Sequence, residues 1–428
     1  MALELSVIVP CYRQQSALDL TLEALCRQDR DDYEVVVVDD GSPEPITAPG
    51  RVAGVPVRVV RPPRDGFGLA RARNTGAAAA RGGVLVFLDC DMLPVRGFLS
   101  AHLAHHTDVL SVVVGWRTHV EVDGIGPGDV RSAAEDGDVA SLFEGRDQQL
   151  PTWIERHWER TDDLRSHHHD RWRAMSGGNL SVSKELWDSI GGADESFRQW
   201  GGEDNETAYR LLAAGASPVA ERGAFCFHQG EGHEPSEAER QSQREQQARL
   251  EHLITDPSIR RPGSGRIHQT PQTVVRVASA QWSDETADEV ALSIICGTET
   301  DVLVELEHDS EWLRRRHAAD PRIRVLEPGA ASDVRFPLIR AHLGDPLPFG
   351  TGSLAAIVSQ MRTGEVGAVT VPGVALTARL QRDVSRESWG CEPTGRSIEV
   401  PAHDLGMDPV APPPEVPAAK ARRRFGRR

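Results

Sequence analysis

The stretch VLVFLDCDM (84–92) decides the fold. Its apolar residues, Val84 to Leu88, read as a strand, and Asp89 and Asp91 follow with one residue between them. Open α/β sheets bind their ligands beyond the carboxyl ends of the strands, so both acids stand where a ligand would sit. Paired carboxylates there suit a divalent cation holding a diphosphate. The plainer reading is a strand-end turn with solvated acids, since Asp is common in turns.

Working outward, Leu5 to Val9, Glu34 to Val38 and Val55 to Val60 also read as strands. Ser16 is placed to cap a helix that carries Leu18, Leu22, Leu25 and Cys26 at helical spacing. An Ala-rich helix from Leu69 to Arg81 leads into Val84. Strands alternating with helices predict a mostly parallel, Rossmann-like α/β sheet. Residues 117–170 are polar and weakly periodic, which predicts a mobile insertion or lid. Within them His167, His168 and His169 cannot share one face of a regular element, so a solvated loop is expected. SGGNLSVSKELWDSIGG (176–192) predicts a strand, a helix and a glycine stop. WGGEDNETAYRLLAAG (200–215) predicts a glycine turn entering an amphipathic helix that ends at Gly215. Pro235 to about Ile254 predicts an exposed helix.

These patterns divide the chain into a domain over 1–258, a linker over 259–285 that begins near RRPGSGR (260–266), a smaller α/β region over 286–405 and a tail over 406–428. The smaller region reads as a degenerate repeat of the first. DVLVELEHDS (301–310) echoes YEVVVVDDGS (33–42), and IRVLEPGAASDVRFPLIRAHLG (323–344) echoes VRVVRPPRDGFGLARARNTG (57–76). The spacing puts the counterpart of the paired aspartates at SLAAIVSQM (353–361), which has no acid.

Composition narrows the function. A formal charge of −16 argues against nucleic acid as a partner, because duplex binding needs many Lys and Arg contacts. An anionic nucleotide would then need a local metal or basic cluster. Cys11, Cys26, Cys90, Cys226, Cys296 and Cys391 lack CxxC spacing and read as reduced thiols. With no leader pattern in MALELSVIVPCYRQ and no membrane-length apolar run, the cytoplasm is the expected compartment. The tail APPPEVP (411–417) and KARRRFGRR (420–428) reads as disordered, and its basic end suits peripheral contact with an anionic membrane face.

Five segments converge: VIVPCYRQ (7–14), VVVVDDGS (35–42), RDGFGLARARNTG (64–76), FLDCDM (87–92), and WGGEDNE (200–206) with AFCFHQG (224–230). As an ordered set they resemble the family 2 glycosyltransferases, inverting enzymes with the GT-A fold. The likeness covers about half the chain. It is greatest to the chondroitin-polymerase type and, over 176–215, to the carboxyl-terminal domain of galactosyltransferases.

The residues agree with what that resemblance implies. Pro10 ends the first strand where the chain turns toward a ligand, and Tyr12 lies just beyond it. Asp40, with Asp39 as alternate, can accept hydrogen bonds from a uracil ring and ribose hydroxyls. By the resemblance Asp65, Arg73 and Asn74 contact base, diphosphate or sugar. Asp89 would then contact ribose or donor sugar and the cation, and Asp91 and His228 would bind the metal. Mixed carboxylate and imidazole ligation favours Mn2+, with Mg2+ second. Glu203 and Asp204 enter a helix after two glycines: Asp204 is assigned as the base and Glu203 as a sugar ligand, with the roles exchangeable. Trp200 offers a flat face to a pyranose, and Gly177, Gly178, Asn179 and Gly202 border the same pocket.

The expected function is metal-dependent, inverting transfer of a hexose or N-acetylhexosamine from a UDP-sugar to a saccharide or glycoconjugate hydroxyl. Two other classes compete. A sugar-phosphate nucleotidyltransferase would share the sheet and acids but needs a glycine-rich basic loop, and VPCYRQQS (9–16) has no glycine. A non-catalytic scaffold of a polysaccharide-synthesis complex would suit the acid-poor second region and the basic tail.

Overall fold

The computed structural model describes residues 3–63, 68–230, 236–256, 258–260, 267–296, 301–346, 349 and 352–405. Asp65, most of the RRPGSGR segment and the basic tail lie outside the described residues.

The first sheet grows from buried apolar runs. β1 (Leu5–Cys11) and β2 (Tyr33–Asp39) are buried at every position, as strands covered on both faces must be. Helix α1 (Gln15–Leu25) connects them. It is preceded by Gln14 at its N-cap, so Ser16 lies inside the helix and does not cap it. β3 (Arg51–Val52) and β4 (Val55–Val60) follow, then α2 (Leu69–Ala79), β5 (Val84–Leu88), β6 (Met92–Pro94), α3 (Phe98–Leu103) and β7 (Ser111–Val120). Next come α4 (Pro127–Asp136), β8 (Gln148–Gln149), α5 (Thr152–Arg160), β9 (Asn179–Ser183), α6 (Lys184–Ile190), α7 (Glu203–Ala213), β10 (Ser217–Gln229) and α8 (Glu237–Leu253).

The sheet order is β3-β4-β2-β1-β5-β9-β7-β10-β6, with β8 paired to β7. β4, β2, β1 and β5 are mutually parallel, so their carboxyl ends share one edge. β9 runs antiparallel between β5 and β7. That insertion carries Gly177 and Gly178 to the carboxyl end of β5. One face packs Ile8, Phe87, Trp158, Trp172 and Trp187 into a core; each fully buried side chain of that size contributes about 1.5–3 kcal/mol.

The expected lid over 117–170 is largely ordered. Its start is the end of β7, and the remainder folds into α4, β8 and α5, with Val130, Phe143 and Trp158 buried. The histidine run is not a solvated loop either. His169 bonds Asp256 at 2.8 Å and His168 stacks on His169, so the segment is half-buried at a seam with the second sheet.

That second sheet contains β11 (Thr273–Val277), β12 (Val302–Glu307), β13 (Ile323–Leu326), β14 (Ile339–Leu343), β15 (Val366–Thr370), β16 (Leu376–Leu380) and β17 (Arg396–Glu399). α9 (Asp284–Cys296), α10 (Glu311–His317), α11 (Ser353–Met361) and α12 (Gln381–Ser388) connect them. Its order is β13-β12-β11-β14-β16-β15-β17. Position for position, and in strand direction, this matches β4-β2-β1-β5-β9-β7-β10 of the first sheet. The counterpart of β5 is therefore β14, and the place of the paired aspartates is Gly344-Asp345, not 353–361, which forms α11. Side chains of α12 tie the sheets together: Ser385 donates to the Ala213 carbonyl at 2.9 Å and Arg386 to that of Gly215 at 3.0 Å. Among the described residues, no helix is long and apolar enough to cross a membrane.

Candidate active site

The parallel strands deliver Pro10, Cys11, Asp40, Asp89, Cys90 and Asp91 to one cleft of about 320 Å³, completed by Tyr12, Gln14, Leu69 and Trp200. The two acids that end β2 separate by environment. Asp39 is buried and accepts the amides of Ser42 at 2.8 Å and Ile46 at 3.1 Å, holding the turn. Burial would raise its pKa, but these hydrogen bonds and Arg61 keep it below the usual carboxylate range. Asp40 is left to face the cleft, braced by the Gly68 amide and by Arg71, each at 3.0 Å.

At the end of β5 the DxD acids point to different partners. The Asp89 amide bonds the Gly178 carbonyl at 3.0 Å, and its carboxylate lies 3.5 Å from Arg73. Burial, outweighing Arg73, raises the Asp89 pKa. A Cβ on Gly178 would stand 2.1 Å from Asp89 Oδ2, so a larger residue there would displace the Asp89 carboxylate. Asp91 turns toward β10: its Oδ1 lies 3.7 Å from His228 Nε2 and is buried without a hydrogen-bond partner. His119 on β7 lies against His228, the rings tilted with centroids 4.3 Å apart, and its own Nδ1 is buried and unpartnered. Burial, then the neighbouring His228 and Arg117, push His119 down to about 4, which keeps its ring neutral.

Among the described residues no three His, Cys, Asp or Glu groups gather closely enough to form a complete metal site. The donor set nonetheless fits a borderline divalent ion. An orphaned carboxylate oxygen on Asp91 and the His228 imidazole could supply two ligands, with diphosphate oxygens and water for the rest.

The third group stands at the start of α7. Gly202 caps the helix at φ +92°, a conformation that favours glycine, and swings Glu203 and Asp204 into the site. Arg73 is buried on α2 and bridges the centres, paired to Asp204 and close to Asp89. Burial alone would lower its pKa, but Asp204, Asp89 and Glu203 overcome this and hold it charged. Asp204 also accepts the Gly177 amide at 3.0 Å. Glu203 is 4% exposed and accepts the Gly201 amide at 3.0 Å. Burial, then the charge of Asp204, pushes it up to about 7.

Asn74 is the misplaced expectation. Its amide bonds the Ala193 carbonyl at 2.9 Å and its oxygen accepts the Ala193 amide at 2.8 Å, so it braces the loop after α6 and does not line the cleft. Asn179 is buried, with Nδ2 on the carbonyls of Trp116 and Ala224 and Oδ1 2.9 Å from His102, and so locks β9 to β7 and β10. Sequence reasoning missed Arg117 and His119, which lie in a segment expected to be a lid. The signal was Val112-Val113-Val114, an apolar run that continues into them as one strand.

Residues 6–185 match the glycosyl transferase family 2 model, and residues 164–225 match a model described as the N-terminal domain of galactosyltransferase. The chain carries a family 2 glycosyltransferase domain. It is similar to chondroitin synthase of Escherichia coli, with 31% identity over 53% of this chain and 34% of that protein. Similarity extends to the validoxylamine A glucosyltransferase of Streptomyces hygroscopicus subsp. limoneus, at 32% identity over 52% of this chain and 50% of that one. The chain thus spans between a third and a half of the length of these curated relatives. A solved mannosyltransferase from Pyrobaculum calidifontis, in complex with GDP-Man and Mn2+, aligns over 59% of this chain and 62% of its own at 20% identity and TM-score 0.36.

Proposed function

We propose that the family 2 domain moves a hexose or N-acetylhexosamine from a UDP-sugar to a saccharide or glycoconjugate hydroxyl, with inversion and with help from a divalent cation, Mn2+ before Mg2+. The observation that carries this reading is the single bridge of Arg73 between Asp89 and Asp204. It sets the acids of a donor cleft and those of the α7 start within one cavity system.

Asp40 and Tyr12 hold the nucleoside at the far end of the cleft, where Asp40 accepts hydrogen bonds from base or ribose. Asp91 and His228 would hold the cation, whose bound charge stabilises the negative charge developing on the departing diphosphate. Asp89, set by Arg73 and Gly178, orients the donor ring. Asp204, 29% exposed, can reach an incoming hydroxyl, whereas Glu203 is almost fully enclosed. Asp204 takes the acceptor proton as the oxygen bonds to the anomeric carbon and the bond to the diphosphate breaks with its electron pair. Arg73 pairs with Asp204 and keeps it aimed, and Trp200, 47% exposed, packs against a sugar face between the two clefts. The second sheet offers one acid, Asp345, at the corresponding strand end, and its Oδ2 is spent on the Ala375 amide at 2.7 Å. Transfer is therefore assigned to the first sheet.

Incubating the full chain with Mn2+ and a panel of UDP-sugars, with and without saccharide acceptors, tests the reading. UDP release is expected, with Asp204→Asn or Asp91→Ala lowering turnover by about 10²–10⁴. Full turnover in either variant overturns its role. Pyrophosphate as the product would mark a nucleotidyltransferase, and UDP binding without turnover a scaffold.

A further inference from the structure

Beside the donor cleft lies a second cleft of about 480 Å³. Glu203 and Asp204 stand at its head, and Trp200 is shared with the donor cleft. Trp153, on the first turn of α5, is 54% exposed and lines the same cleft. Exposed indoles are costly to leave in water, and two of them along one groove offer flat apolar faces to successive sugar rings. Gln243 and Gln247 of α8 add amides that both donate to and accept from hydroxyls.

The groove also carries two cationic side chains besides the acids at its head. Arg117 bonds Ser176 Oγ at 2.9 Å and has its Nε buried without a partner. Arg173 lies over the Trp172 ring, 4.8 Å from its centroid, and donates to Ser258 Oγ at 3.1 Å. Among the described residues, neither guanidinium has a carboxylate within ion-pair distance. Of the acids at the head, Asp204 is neutralised by Arg73 and Glu203 is pushed toward its neutral form. A cationic floor in a chain of net charge −16 is a local feature rather than the tone of the whole surface.

We infer that this groove is the acceptor subsite and that it selects a linear saccharide bearing carboxylates. Sugar faces pack on Trp200 and Trp153, and uronate groups pair with Arg117 and Arg173. The inference rests on the transferase reading and specifies its acceptor.

The test is titration calorimetry of the full chain, with UDP and Mn2+ present, against two probes. One is unsulfated chondroitin hexasaccharide; the other is the same hexasaccharide with its carboxyl groups reduced to alcohols. The native probe is expected to bind at least about ten-fold more tightly than the reduced one. Arg173→Gln should abolish most of that preference, and Trp153→Ala should weaken both probes. Equal affinity for the two probes, no binding of either, or an Arg173→Gln chain that keeps the preference overturns the inference. UDP-sugar hydrolysis by the wild-type chain is measured separately. Hydrolysis without carboxylate preference rejects the subsite alone, whereas a chain that neither hydrolyses nor transfers rejects the transferase reading.

Discussion

Glu203→Gln separates a carboxyl held in its neutral form from one that merely decorates a helix start. In the unfolded chain Glu203 ionises near 4.5; in the fold, burial and the charge of Asp204 push it to about 7. Between those values the native protein holds a proton that the unfolded chain has released. Stability therefore falls as pH rises through the window, by up to about 1.4 kcal/mol per pH unit and about 3 kcal/mol in all. Glutamine has no such titration, and its carbonyl oxygen can still accept the Gly201 amide. At pH 8 the variant should be the more stable protein by up to about 3 kcal/mol relative to its position at pH 5. A folding unit of roughly 200 residues shifts by about 2–4 °C for each kcal/mol, which makes the change in melting offset roughly 6–12 °C. Thermal unfolding of both proteins from pH 5 to 9 reads it directly. An offset that is flat with pH, or that favours the wild type above pH 7, refutes the account of Glu203 as an enclosed, neutralised acid.

The other predictions address the remaining contacts. In Gly178→Ala the added methyl group would meet Asp89 Oδ2 at 2.1 Å and so displaces that carboxylate; donor turnover should drop at least about ten-fold while circular dichroism stays native, and unchanged turnover contradicts the role of Asp89. Arg73→Gln leaves Asp89 and Asp204, both about a third exposed, without their shared cation and should cost about 1–3 kcal/mol in urea unfolding, with no measurable cost ruling out a stabilising bridge. Asp91→Asn should weaken Mn2+ binding, followed by electron paramagnetic resonance with UDP present, by at least about ten-fold, and unaltered affinity removes Asp91 from the ion site.

The fold was legible because its information is local. Val55–Val60 and Val84–Leu88 are apolar runs of strand length, and their observed limits coincide with the expected ones. Gly191 and Gly215 mark the ends of α6 and α7, both with positive φ. The long segment after Arg117 failed for a complementary reason. Its polar residues satisfy one another across large sequence separations, as in Arg131 with Glu23 and His169 with Asp256, and no period along the chain reports such pairs. Within the candidate site, strand-end position pointed to Asp40 and Asp91 and the resemblance alone to His228, but neither said who neutralises whom. That Arg73 would be spent on Asp89 and Asp204, and Asn74 on Ala193, depends on where α2 lies against β9 and α7.

The second sheet shows how little of a site is contained in a fold. Its strand order repeats that of the first, yet the corner matching Asp39-Asp40 holds Glu307-His308. His308 is buried there, its Nδ1 on the Ser279 carbonyl at 2.8 Å and its Nε2 3.0 Å from Asp284, while Ser310 donates to the same Asp284 at 2.7 Å. In the first sheet that corner leaves Asp40 braced on one side and facing a cleft on the other. Strand order follows from where apolar runs fall, and many sequences satisfy it. A binding site needs polar groups left incompletely satisfied in a concave place, as Asp91 Oδ1 is. At these strand ends, closed hydrogen bonds around His308 and an orphaned oxygen on Asp91 thus differ although the strand order is the same.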